Sequence, residues 1–147
     1  MAADQRASGR KVPNVTDQTK RILDVPGLGD SARLSYAQCV VAGNLLFISG
    51  QTGIDSDYRV VSQDFEAQTR QTFANLRLAL HAAGADLPDI ASMTVYLTHL
   101  NRDAQTFLRI RREIMGDARA ASALIGVSLL GFPDLLVEIQ AIAVLPT

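Results

Sequence analysis

The run from Leu135 to Val144, Leu-Leu-Val-Glu-Ile-Gln-Ala-Ile-Ala-Val, constrains this chain more than any other segment. Successive side chains of a strand point to opposite faces, so Leu136, Ile142 and Val144 share a side with Glu138 and Gln140. Apolar surface of that extent is normally buried. A partner subunit is the economical cover for a sheet whose helices lie on its other face. Glu138 is the anomaly in the run. A carboxylate among apolar neighbours is costly unless it is paired, protonated or set at a water-filled cleft. A solvent-facing position on an edge strand is the alternative, and the residues alone leave both open. Tyr36, just before an apolar strand, carries the same ambiguity.

The rest of the chain supplies the partners of that strand. Lys20 to Val25 reads as a first strand closed by Pro26-Gly27. A hairpin follows: Cys39 to Ala42, a Gly43-Asn44 turn, and Leu45 to Ser49. A two-residue turn with Gly first matches the primed turns whose twist suits paired strands. Residues 63 to 83 form a helix by period, with Phe65, Thr69, Phe73, Leu76 and Leu80 on one stripe. Ser62 is its expected cap and Gly84 its expected end. Ala91 to Thr98 alternates Met93, Val95 and Leu97 against Thr94, Tyr96 and Thr98, which predicts a strand. A second helix over Arg102 to Met115, capped by Asn101, turns Phe107, Ile110 and Ile114 inward. Ser122 to Leu129 and Leu135 to Val144 complete the strands. The order β-β-β-α-β-α-β-β predicts an α+β fold, a single mixed β-sheet of about six strands with two helices packed on one face. Residues 1 to 18 are small and polar without apolar period, and are expected to form a flexible N-terminal tail before a domain over 19–147.

Several functions are disfavoured. A formal net charge of −1 over 147 residues gives no electrostatic case for a nucleic-acid or membrane partner. Cys39 is the only cysteine, so no intrachain disulfide forms, and its strand setting reads as a buried small hydrophobe. No hydrophobic signal core and no bilayer-length apolar run are present, so a soluble cytoplasmic protein is expected. Gly27-Leu28-Gly29 is a lone GxG without strand-to-helix context. His81 and His99 lack acidic or Cys neighbours at ligand spacing, so no metal is expected. Ser49-Gly50 lacks the flanking glycines of a nucleophile elbow.

Five segments resemble the RidA/YjgF family in order and nearly in spacing. They are Tyr36-Ala37-Gln38; Ala42 to Gln51; Gln68-Thr69-Arg70-Gln71 with Asn75-Leu76; Val95-Tyr96-Leu97-Thr98; and Val137 to Ala143. The resemblance implies a RidA/chorismate-mutase-like domain and a homotrimer with small-molecule clefts between subunits. It also implies hydrolysis of reactive imines and enamines without a cofactor. In that chemistry an Arg grips a substrate carboxylate as a bidentate fork, and a strand Glu positions water. Residue by residue, Glu138 and Tyr36 take the catalytic positions, and Ser49 and Gly50 line the cleft. The arginine is absent: counting from Gly116 puts Ser122 at its position, and counting back from Glu138 puts Ala123 there. Arg119, in the preceding loop, is the nearest stand-in. Ser122 is then expected to line the cleft, with a ligand that lacks a carboxylate at that spot. A non-catalytic ligand-binding trimer using the same cleft is the rival reading. A ribonuclease, an activity also attributed to the family, is disfavoured by the near-neutral charge.

Overall fold

A computed structural model describes residues 20–147; the tail expected over residues 1 to 18 lies outside them. Eight elements follow in the predicted order: β1 (Arg21–Leu23), β2 (Cys39–Ala42), β3 (Leu45–Thr52), α1 (Phe65–Ala82), β4 (Ile90–Leu97), α2 (Leu100–Met115), β5 (Ala121–Gly126) and β6 (Val137–Val144). Short 3-10 turns at Ser31–Leu34 and Leu87–Asp89 were not foreseen. The strands form one six-stranded sheet in the order β1-β2-β3-β6-β4-β5. Every pairing is antiparallel except β4 with β5, which are joined by the crossover helix α2.

Local chemistry explains the boundaries. In the β2–β3 hairpin Gly43 stands at φ 60° while Asn44 stays out of the positive-φ region, the sign pattern of a type II′ turn. Helix α1 is capped two residues later than expected, at Asp64 rather than Ser62. The Asp64 carboxylate accepts from the Ala67 N–H at 2.9 Å, and the Ser62 hydroxyl accepts instead from the Asp64 N–H at 3.0 Å. The paired bonds Ala85 N to Leu80 O and Gly84 N to His81 O close the other end as a Schellman motif. Helix α2 begins at Leu100 rather than Arg102, because β4 runs straight into it. His99 takes the cap position without a side-chain cap bond, and Asn101, the expected cap, lies inside the first turn. There Arg102 holds the buried Asp103 carboxylate through two bonds of 2.8 and 2.7 Å.

Both helices pack on one face of the sheet. The predicted stripe of α1 is buried throughout, and Phe73 stacks on Phe107 of α2 with ring centroids 6.0 Å apart. Beneath them lie Leu46, Ile48, Met93, Val95, Leu97 and Ile139. Cys39 is fully buried in this core. On the outer surface Arg70 and Arg109 each bridge Glu66 and Glu113 at 2.8–2.9 Å, stitching the two helices together. No helix among the described residues is long and apolar enough to cross a membrane. The opposite sheet face carries Phe47, Ile125 and Val144, each about 40 % exposed, as the C-terminal strand pattern requires.

Candidate active site

Glu138 emerges from β6 on the face away from the helices, in register with Thr52 of β3 and Tyr96 of β4. A buried glutamine fixes the start of its strand. Gln68, fully buried on α1, donates to the Asp134 and Ser62 carbonyls at 2.8 Å each and accepts from the Leu136 N–H at 2.9 Å. Two residues beyond that clamp, the chain delivers the carboxylate. Burial pushes the Glu138 carboxyl above its ordinary value. Among the described residues nothing donates to it or pairs with it.

The floor beneath it is a bulge. Ile48 faces Ala141 and Gln51 faces Ile139, so Ser49 and Gly50 together stand opposite Gln140. The bulge carries Gly50 directly under Glu138. A Cβ at Gly50 would lie 2.7 Å from the Glu138 Cδ and 3.0 Å from its Cγ, closer than real Cβ atoms come. Any larger residue there would push the carboxylate out of this position. The Ser49 hydroxyl does not reach toward Glu138 with its proton: it donates to the Ala37 carbonyl at 2.6 Å, and the Ser49 N–H donates to the Gln38 carbonyl at 2.9 Å. Ser49 thereby ties the Tyr36-Ala37-Gln38 segment to the bulge.

Tyr36 ends a chain of polar groups. Gln51 Nε2 donates to Gln38 Oε1 at 3.1 Å, Gln38 Nε2 donates to the Tyr36 hydroxyl at 3.2 Å, and that hydroxyl lies 3.2 Å from the Tyr58 hydroxyl. A cavity of about 20 Å³, room for roughly one water, joins Tyr36 and Gln38 to Gly50, Gln51, Thr52 and Asp55. Burial, and then the bond to Tyr58, raises the Tyr36 phenol well above its ordinary range. At neutral pH it is a protonated hydrogen-bonding group and not a base.

The structure thus brings Glu138 and Gly50 into contact, with Ser49 in the same bulge and the Tyr36 segment tied to it through Ser49, but it separates Ser122 from them. Ser122 is in register with Met93, a core residue, and its hydroxyl accepts from Arg111 of α2 at 3.0 Å. It faces the helices, on the other side of the sheet from Glu138. Ala121, Ala123 and Ile125 are the β5 residues that share the face of Glu138, and of these Ala123, in register with Thr94, is the one that the count back from Glu138 puts at the arginine position. Arg119 does not replace the missing arginine within the chain. It precedes β5, which begins in register with Ser92, four residues or roughly 13 Å along β4 from the Tyr96 that neighbours Glu138. Sequence reasoning missed Tyr58 as a neighbour of Tyr36, and missed Gln38 and Gln51 as its relay. Two glutamines flanking an apolar hairpin were the available signal; Tyr58, in an irregular loop at φ 61°, had none. Among the described residues no group of three or more His, Cys, Asp or Glu stands close enough to hold a metal ion.

Residues 30–145 match the family model described as endoribonuclease L-PSP. A RutC family protein of Pyrococcus horikoshii is 40 % identical over 109 residues, 74 % of this chain and 85 % of that one. The 2-iminobutanoate/2-iminopropanoate deaminase of Salmonella typhimurium is 32 % identical over 110 residues, covering 74 % and 86 % of the two chains. The crystal structure of RidA from an Antarctic Psychrobacter superposes with a TM-score of 0.77 at 28 % identity, covering 85 % of this chain and 99 % of that one.

Proposed function

This chain belongs to the RidA/YjgF family, and on that premise we propose that it is a cytoplasmic homotrimer that hydrolyses an imine, an enamine or a related small electrophile in a cleft between subunits. The observation that carries the reading is Glu138. It is a partly buried carboxylate with its affinity for protons raised, unpaired among the described residues, seated on a glycine bulge at a bare sheet face. Such a group suits a general base, whose pKa works best near the operating pH.

The chemistry follows from that placement. Glu138 takes a proton from water as the water oxygen bonds to the imine carbon. The C=N π pair moves onto nitrogen, which takes that proton from Glu138 to complete the carbinolamine. Glu138 then takes the carbinolamine hydroxyl proton and passes it to nitrogen as the C=O forms; the C–N bond breaks, ammonia leaves and a carbonyl compound remains. Tyr36, kept protonated, serves as a hydrogen-bonding wall, and Ser49 and Gly50 supply the backbone that shapes the floor. No cofactor takes part in these steps.

Substrate choice departs from that of the deaminase-named relatives. Ala123 cannot grip a carboxylate, and a charge-assisted bond of the kind an arginine makes there contributes about 1.5–3 kcal/mol. The wild-type protein is therefore expected to release ammonia from 2-iminopropanoate roughly tenfold to a hundredfold more slowly than an arginine-bearing relative. Ala123→Arg is expected to recover part of that loss. A coupled assay with the imine generated in place tests both, together with a panel of imines lacking a carboxylate. Wild-type turnover of 2-iminopropanoate equal to that of the relatives would overturn the substrate assignment. A cleft that binds imines or their ketone analogues without turning any over would make it a binding trimer.

A further inference from the structure

The helix-covered side of the sheet holds a second candidate site. Between the C-terminal half of α2 and edge strand β5 runs an open groove of about 420 Å³. Arg111 and Arg112 of α2 and Arg119 of the following loop line it, with Leu108, Met115 and Ser122. That volume lies in the range of small-molecule sites. Met93, a core residue, also contributes to the lining, so the groove is apolar as well as basic.

Its charge is the unusual property. None of the lining residues is a carboxylate. Elsewhere on the same helices the arginines are neutralised: Arg70 and Arg109 by Glu66 and Glu113, Arg77 by Asp86, Arg102 by Asp103. Among the described residues Arg111, Arg112 and Arg119 pair with no carboxylate. Asp117, next to Gly116 in the same turn, is not part of the lining. The C-terminus of α2 accounts for some of this positive charge, since a helix end presents about half a negative charge. Three guanidinium groups exceed it several-fold. Arg111 is also held in place, its guanidinium 5.6 Å from the centre of the Phe107 ring and one Nη donating to Ser122. A guanidinium fixed by stacking and by a hydroxyl loses less freedom when a ligand takes its remaining donors.

We propose that this groove binds a small organic phosphate. The phosphate would be gripped by Arg112 and Arg119 with Arg111 behind them, and its apolar or aromatic body would lie on Leu108 and Met115. A lone carboxylate is served by one guanidinium fork; three forks suit a phosphate, with its greater charge and three terminal oxygens. The groove opens on the face opposite Glu138, so the assignment stands independently of the imine chemistry.

Calorimetric titration of the intact protein with AMP, inorganic phosphate, adenosine and citrate tests it. AMP is expected to bind saturably, inorganic phosphate to compete with it, and adenosine to bind at least tenfold more weakly. Arg112→Ala and Arg119→Ala, both at exposed positions, should each weaken AMP about tenfold while the circular dichroism spectrum is unchanged. Arg119→Lys should fall between wild type and Arg119→Ala, since it keeps the charge and loses the fork. The proposal is overturned if neither AMP nor phosphate binds at millimolar concentration, or if both alanine variants bind AMP like the wild type. Citrate binding as tightly as AMP would replace phosphate by carboxylate recognition. A single-stranded oligoribonucleotide held more tightly than AMP, and weakened by the same variants, would replace the small molecule by RNA.

Discussion

At the level of single residues, the burial that raises the Glu138 pKa makes the carboxylate destabilising whenever it is ionised. The folded state binds that proton more tightly than the unfolded state does. Its favourable contribution is therefore complete below the ordinary glutamate value and is lost as pH rises through the raised one. Glu138→Gln removes this liability, so the variant should melt at or slightly above the wild-type temperature at pH 7, and the difference should shrink toward pH 4. Scanning calorimetry at the two pH values reads it. Turnover should be lost in the same variant, while wild-type activity should climb with pH to a midpoint above the ordinary glutamate range. A strongly destabilised Glu138→Gln would instead assign the carboxylate to a structural network. Gly50→Ala is the complementary test: its methyl group displaces Glu138, so activity should fall at least tenfold while the fold persists. Glu138 was legible in the sequence because a charge in an apolar run must be explained. Ser122 was misplaced because strand alternation turns a one-residue uncertainty in register into the wrong face of the sheet.

Among the elements, hydrophobic period located both helices, and their ends were the less legible part. Ser62 and Asp64 are both good caps two residues apart, and sequence cannot say which one the chain reaches first. Asp64→Ala should cost about 1 kcal/mol of stability, and Ser62→Ala clearly less; urea denaturation at constant m separates them. The bulge in β3 was likewise unread, although a glycine inside a strand pattern is its usual sign. What no pattern reveals is the role of Gln68, which reads as one more polar helix residue. Its amide satisfies three backbone groups between α1 and the entrance to β6. Gln68→Leu keeps the bulk and strands those groups, each at about 1–3 kcal/mol unless water replaces the amide. The expected loss of several kcal/mol should come with faster hydrogen exchange at Leu136. A loss under about 1 kcal/mol would show that the clamp is dispensable.

Over the whole molecule, the face that one chain leaves bare is the same face that presents Glu138. Phe47, Ile142 and Ser92 lie in one row across β3, β6 and β4, beside a shallow depression of about 180 Å³ that Thr94 and Gln140 also line. Phe47 and Val144 keep about 40 % of their surface in water there, as does Ile125 farther along the same face on β5, exposed apolar surface of the kind that marks an interface. Stable interfaces of standard size remove about 800 Å² from each partner, and closed rings of identical subunits are the usual way to cover such a patch without open-ended growth. The expected assembly is a trimer of roughly three times 15.8 kDa, observable by light scattering at micromolar concentration. Phe47→Glu places an unpaired carboxylate in the middle of the patch. In the isolated chain that side chain already faces solvent, so the monomer should fold with an unchanged far-ultraviolet spectrum. Burying the charge on assembly is costly, and the variant should sediment as a monomer. If the cleft is built between subunits, turnover should vanish with the trimer even though Glu138, Gly50 and Tyr36 are untouched. A monomeric wild type would remove the shared cleft altogether. An active Phe47→Glu monomer would place the whole catalytic site within one chain.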